Sequence, residues 1–157
     1  MAACSRLCKR RRPKRAGVNP RLPRHALAAF MGEAAELLRG GGTPVIYGTI
    51  RLVERYEESF LAWAREPWAC IIFNLCVAHT DTGLAAAQTI FRALIDMAIS
   101  YGGSYYLTYH RWATRAQVEA CHPRFREFLR QKEAHDLAEV FTSDWFRHHR
   151  ALFANGD

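Results

Sequence analysis

No apolar run in this chain approaches the ~18 residues that a membrane-crossing helix needs. The longest, Ala69 to Ala78, is interrupted by Asn74 and fits a buried strand. The basic N-terminus has no apolar stretch behind it, so a secretory signal is not expected. No phosphate loop is visible. The glycine cluster Gly40–Gly42 follows a helical pattern and precedes a strand pattern, the reverse of an anion cradle. HExxH, GxSxG and paired-cysteine metal motifs are absent as well. The five cysteines, Cys4, Cys8, Cys70, Cys76 and Cys121, are odd in number and irregular in spacing. Cys4 and Cys8 have no second pair at a zinc-binding distance. Cys70 and Cys76 sit in the apolar run, where a thiol acts as a small hydrophobe, and a reducing cytoplasm is the default compartment. Adjacent His148 and His149 would point ~100° apart on a helix and make poor joint metal ligands.

Acidic residues are missing from the first 32 positions. Nine basic residues precede Glu33: Arg6, Lys9, Arg10, Arg11, Arg12, Lys14, Arg15, Arg21 and Arg24. Removing these nine from the 22 Lys and Arg leaves 13 against 15 Asp and Glu, so the formal charge of +7 resides in the first 25 residues. Residues 1–24 therefore read as a disordered, solvated tail on a domain spanning 25–157. A nucleic-acid arm and a segment foreign to the domain are the alternatives.

What is present is ordinary for one globular domain: 157 residues, half of them apolar. Leu27, Phe30, Met31, Ala34, Leu37 and Leu38 recur at helical spacing, and the glycine triplet stops them. TPVIYGTIRLVER then alternates, Ile46, Ile50 and Leu52 one way, Tyr47, Thr49 and Arg51 the other, which predicts a strand with one core face and one polar face. Glu57–Trp63 leans toward a short strand. WACIIFNLCVAH, past Pro67, is apolar on both faces, with Asn74 on the side of Trp68, Cys70 and Ile72. Asp81 or Thr82 caps a helix carrying Leu84, Ala87, Phe91, Leu94, Ile95 and Ala98. Gly102 and Gly103 end it, and an extended segment follows. Thr114 with Gln117 resembles a capping box, Pro123 opens a further helix, and Ser143 caps a last one. The expected class is α+β: a small antiparallel sheet with helices on one face, ferredoxin-like, plus short C-terminal helices.

Two constellations could carry chemistry. One is the polar strand face of Tyr47, Thr49 and Arg51, where a guanidinium calls for an anion or several acceptors unless it faces water. The other is Tyr105, Tyr106, Tyr109, His110, Arg111 and Trp112. Strand alternation would put Tyr105, Leu107 and Tyr109 on one face and Tyr106, Thr108 and His110 on the other. Phenol and imidazole groups side by side suit a planar, polar ligand, and equally suit an aromatic core corner.

The stretch from GGSYYLTYHRW through His122-Pro123 to Phe141, Ser143 and Asp144 resembles the C-terminal end of FAD-linked oxidases of the vanillyl-alcohol-oxidase superfamily. That group includes alditol and aldonolactone oxidases and the decaprenylphosphoryl-ribose oxidase. The similarity runs back through FLAWAREPW and YGTIR to about Arg24. Leu137 departs from it, standing where relatives carry proline after Asp136.

In that family this part is a substrate or cap region lying over FAD held by a separate domain. The resemblance implies that Arg51, Thr49, Tyr47 and Asn74 face a small-molecule substrate. Thr49-Ile50-Arg51 matches a strand often written E-I-R, with the arginine kept and the acid replaced. It also implies that Tyr109 and His110 lie where relatives place a lysine or histidine near the flavin, as catalytic candidates. Tyr106, Tyr109 and Arg111 are the cofactor-side contacts. No flavin-binding half is recognisable upstream of Arg24. The expected protein is thus the cap portion of an FAD-dependent oxidoreductase acting on a hydroxyl-bearing sugar, lactone or alcohol. It would be inactive alone, a fragment or one piece of a split enzyme, with the FAD-binding domain missing or on another chain. The alternative is a non-enzymatic α+β module with a basic nucleic-acid-binding arm.

Overall fold

The computed structural model describes residues 14–41 and 44–154. Its first elements are β1 (Lys14–Val18) and β2 (Pro20–Pro23). Both run antiparallel to β4 (Trp68–Val77) in one register, from Lys14 opposite Val77 to Pro23 opposite Trp68. Pairing lapses at Asn19 and Pro20, and proline has no amide hydrogen to give to a ladder.

The expected disordered tail through residue 24 therefore does not hold for Lys14–Pro23, which form part of the sheet. Ala16, Val18 and Leu22 alternate and bury their side chains in the core. Counting charge over this stretch overlooks that period of two. Residues 1–13 lie outside the described residues. The folded domain accordingly includes Lys14–Arg24, and Arg24 closes on Glu54 at 2.6 Å.

The central strand β4 pairs on its other side with β3 (Val45–Val53), through a register shift between Val45 and Tyr47. A short β5 (Ser104–Tyr105) pairs with β2. Taking β1 and β2 as one line, the sheet order is β3, β4, β1/β2, β5, all antiparallel. With α1 (Leu27–Gly40) and α2 (Asp81–Ser100) as the two crossovers, this is a ferredoxin-like β-α-β-β-α-β arrangement.

Both helices lie on one side of the sheet. Phe30, Ala34 and Leu38 of α1 and Ile90, Phe91, Leu94 and Ile95 of α2 meet Val18, Leu22, Ile71, Phe73 and Leu75 in one core. The N-cap of α2 is Thr80, whose hydroxyl accepts from the Gly83 amide at 3.1 Å. Asp81, expected as a cap, is instead the first helical residue. Gly102 takes the left-handed conformation (φ 70°) that terminates the helix.

The C-terminal third is helical: α3 (Arg115–Cys121), α4 (Phe125–His135) and α5 (Asp144–Ala154). The capping box of Thr114 and Gln117 is present, and Ser143 Oγ accepts from Phe146 N at 3.2 Å. Phe125 centres this layer, with the rings of Phe128, Trp145, His149 and Phe153 around it.

Two expectations fail locally. Glu57–Trp63 is a run of turns, not a strand. The apolar side of β3 is not a core face: Ile50 is 49% and Leu52 63% exposed. Their partners on β4, Ile71 and Ala69, are buried. The helices cover the middle of the sheet and leave the edge strand bare.

Candidate functional site

The core takes the odd-numbered side chains of β4 and the even-numbered ones of β1 and β2. The remaining set points to the other face, which α1 and α2 do not cover; at its β5 side Ser104, paired with Arg21, meets His122 at the end of α3, 3.5 Å from Ser104 Oγ to the ring Nε2. Directly paired residues share a face in an antiparallel sheet, so the register defines rows there. Arg51, Cys70 and Arg21 form one row. Thr49 and Ile72 belong to the next, and Tyr47, Asn74 and Gly17 to another.

Two loops add aromatic walls. The loop after β3 carries Trp63 edge-on to Trp68 (5.9 Å between ring centres) and over the Arg21 guanidinium carbon at 3.7 Å. The chain leaving β5 places Tyr106 4.7 Å from the same carbon, and the Tyr106 amide donates to Asn19 O at 3.0 Å. Tyr109 turns back against Tyr106 (4.9 Å, edge to face) and covers Gly17, where a β-carbon would stand 3.1 Å from its ring.

Arg21, Arg51, Thr49, Tyr47, Asn74, Tyr106 and Tyr109 therefore share the open face. His110 and Arg111 do not join them. The strand stops at Tyr105, and the turn that follows breaks the expected alternation. Tyr105 and His110 both meet Phe91 of α2, and His110 stacks on Trp112 at 4.3 Å. Arg111 donates to Asp144 O at 3.1 Å, at the start of α5. Burial holds the His110 pKa below its ordinary value, as expected for an imidazole facing the core.

Arg21 is the residue that charge counting hid. It is 7% exposed, and its Nε has no hydrogen-bond partner. Burial draws its pKa down, while Cys70, Tyr106 and Tyr109 act the other way. Burial also pushes the Cys70 thiol up against the opposing pull of Arg21 and Arg51. The thiol is thus neutral near pH 7, and it contributes no negative charge to a row holding two guanidinium groups. Asn19 Oδ1 and Trp68 Nε1 are likewise buried without partners. Trp63 and Gly17 also escaped the sequence reading. The one signal for this side of the site was the alternation of Ala16, Val18 and Leu22, which leaves Gly17 and Arg21 facing the other way.

Among the described residues, no group of three or more His, Cys, Asp or Glu side chains could hold a metal ion, and no helix is long and apolar enough to cross a membrane. No protein-family model matches the chain, and comparison with the curated proteins finds no similar sequence.

Proposed function

We propose that the open face of the sheet closes over a planar ligand, and that the chain is the substrate-side cap portion of an FAD-dependent oxidoreductase. Its substrate class would be a hydroxyl-bearing sugar, lactone or alcohol. The observation that carries this reading is the division of the sheet into two unlike faces. One is sealed by α1 and α2, and the other carries Arg21, Arg51, Tyr47, Asn74, Tyr106 and Tyr109 outside that helical cover. The likeness of Arg24–Arg150 to the cap region of such oxidases supports it as well.

The residues present fit an isoalloxazine edge. The guanidinium groups of Arg21 and Arg51 are donors for ring carbonyls, and the Trp63, Tyr106 and Tyr109 rings give apolar contact. The FAD would be held by another domain or a partner chain, and when bound it would accept hydride from the substrate. On this chain, Arg51 and Thr49 orient the substrate hydroxyls, with Asn74 and Tyr47 beside them. Of the phenols on this face, that of Tyr109 is the one assigned to relay a proton. His110 acts from behind, packing on Phe91 and Trp112 at the base of the Tyr109 turn. The buried thiols of Cys70 and Cys121 suit a reducing cytoplasm.

Titration of the whole chain with FMN, read by tryptophan fluorescence, tests the reading. FMN should bind weakly, with a Kd on the order of 1 mM, and binding should be lost in Tyr109→Ala. The chain alone should show no redox turnover. Stoichiometric flavin with turnover on this chain, or FMN quenching indifferent to Tyr109, would overturn it.

A second reading rests on a different use of the same face. Tyr47 and Tyr109 are exposed beside Arg51 on an open sheet of this topology, which also suits stacking of single-stranded nucleic acid, helped by the basic N-terminal segment. Salt-sensitive oligonucleotide retention that needs Tyr109 and Arg51, together with no response to FMN, would favour it.

A further inference from the structure

We propose that Arg21 and Arg51, on either side of Cys70, together hold the carboxylate of an aromatic acid. This names the ligand class of the open face. It rests on the reading of that face as a binding surface, and it does not depend on flavin.

A buried guanidinium is costly unless acceptors surround it. Arg21 is 93% removed from solvent, yet among the described residues it has no ion-pair partner and no side-chain hydrogen bond. In the connection that follows β3, Glu54 pairs with Arg24 and Glu57 with Arg55, each at 2.6 Å. None of the rows carries a carboxylate. Among the described residues the charge on this face therefore meets aromatic rings and no anion.

Geometry selects the kind of anion. Adjacent strands lie ~4.8 Å apart, so the Arg21 and Arg51 backbones are separated by about 10 Å across Cys70, a span that two arginine side chains can close onto one group. Trp63 and Tyr106 lie over Arg21, and with its Nε buried the terminal guanidinium nitrogens are its donors toward a ligand. A carboxylate meets such an edge in its own plane through two parallel hydrogen bonds. Arg51, exposed on the edge strand, can swing to the second oxygen. The neighbouring rings of Trp63, Tyr106 and Tyr109 then favour an aromatic body on the acid.

Benzoate, its neutral analogue benzamide and inorganic phosphate are the probes, each titrated into the whole chain by calorimetry and by NMR of the tryptophan indole signals. Benzoate should bind at least about tenfold more tightly than benzamide and than phosphate. Arg51→Ala lies on an exposed strand and should leave folding unchanged while weakening benzoate about three- to tenfold. Arg21→Met should abolish benzoate binding and keep the native circular dichroism spectrum. Equal affinity for benzoate and benzamide, preference for phosphate, or benzoate binding indifferent to Arg51 would each overturn the proposal. Benzoate binding in a chain that ignores FMN would uphold this inference and remove the flavin-cap reading. FMN binding without benzoate binding would do the opposite.

Discussion

The ring of Tyr109 rests on the bare α-carbon of Gly17, across the sheet from Asn74. Gly17→Val should push that ring off the open face. Tyr109 is 44% exposed and free to swing outward, so stability should change by no more than about 1 kcal/mol. The check is a Tyr109 ring signal shifted toward its random-coil position, with FMN affinity falling alongside. A Tyr109 environment unchanged by valine would mean that this contact does not set the ring.

Gly103 is the opposite case. A β-carbon there would stand 2.3 Å from Arg21 O and 2.8 Å from Ala98 O, and neither backbone atom can turn aside. Gly103→Ala should cost about 2–3 kcal/mol in urea unfolding, because β5 must move away from β2 or α2. Alanine within 0.5 kcal/mol of wild type, on the order of ordinary surface changes, would contradict the close approach.

Arg21→Met should stabilise the chain by about 1 kcal/mol, since removing a buried charge with no ion-pair partner outweighs the lost contacts with the Trp63 and Tyr106 rings and the side-chain volume is kept. Denaturant midpoints of the two proteins decide this. A marked loss of stability would show that Arg21 has a partner in the folded chain.

His122 is buried, with Nε2 donating to Tyr105 O at 3.3 Å and Ser104 Oγ 3.5 Å from the same nitrogen. Burial pulls its pKa down to about 4 despite the opposing effect of the Tyr105 carbonyl. The unfolded imidazole takes up a proton first, near pH 6.5, so the neutral folded form is fully favoured above that pH. Stability falls as pH drops from there through about 4. From about pH 7.5 to about pH 5 the loss from this group should be roughly 2 kcal/mol. His122→Gln should show a correspondingly flatter profile, and parallel profiles would refute the assignment.

Leu52→Lys places a charge on the bare edge strand. Stability should stay within about 0.5 kcal/mol, and light scattering at high protein concentration should fall, because an apolar edge strand templates association. Scattering that is unchanged would show that β3 is not the sticky surface.

Much of this architecture was legible from periodicity. The stripe of Phe30, Ala34 and Leu38, that of Phe91, Leu94 and Ile95, the alternation of β3 and β4, and the Thr114–Gln117 box all act between near neighbours in the chain. Hydrophobic spacing and capping chemistry report such short-range constraints directly. Tyr47, Thr49 and Arg51 could be assigned to a polar face for the same reason.

The sequence by itself determined the apolar stripes of the helices, the alternation of β3, and that polar and aromatic groups gather on β3 and after Gly103. Only the tertiary structure decided what those groups meet. Whether Arg15 and Arg21 belong to a solvated tail or a central strand depends on β4 lying alongside, a pairing some 50 residues distant in the chain. Likewise the turn after Tyr105 sends Tyr109 to the open face and His110 to the core, because β5 ends after two residues and strand alternation ends with it. Local pattern fixes the direction of a side chain within its own element, and neighbours brought from far along the chain fix whether it meets solvent, core or ligand.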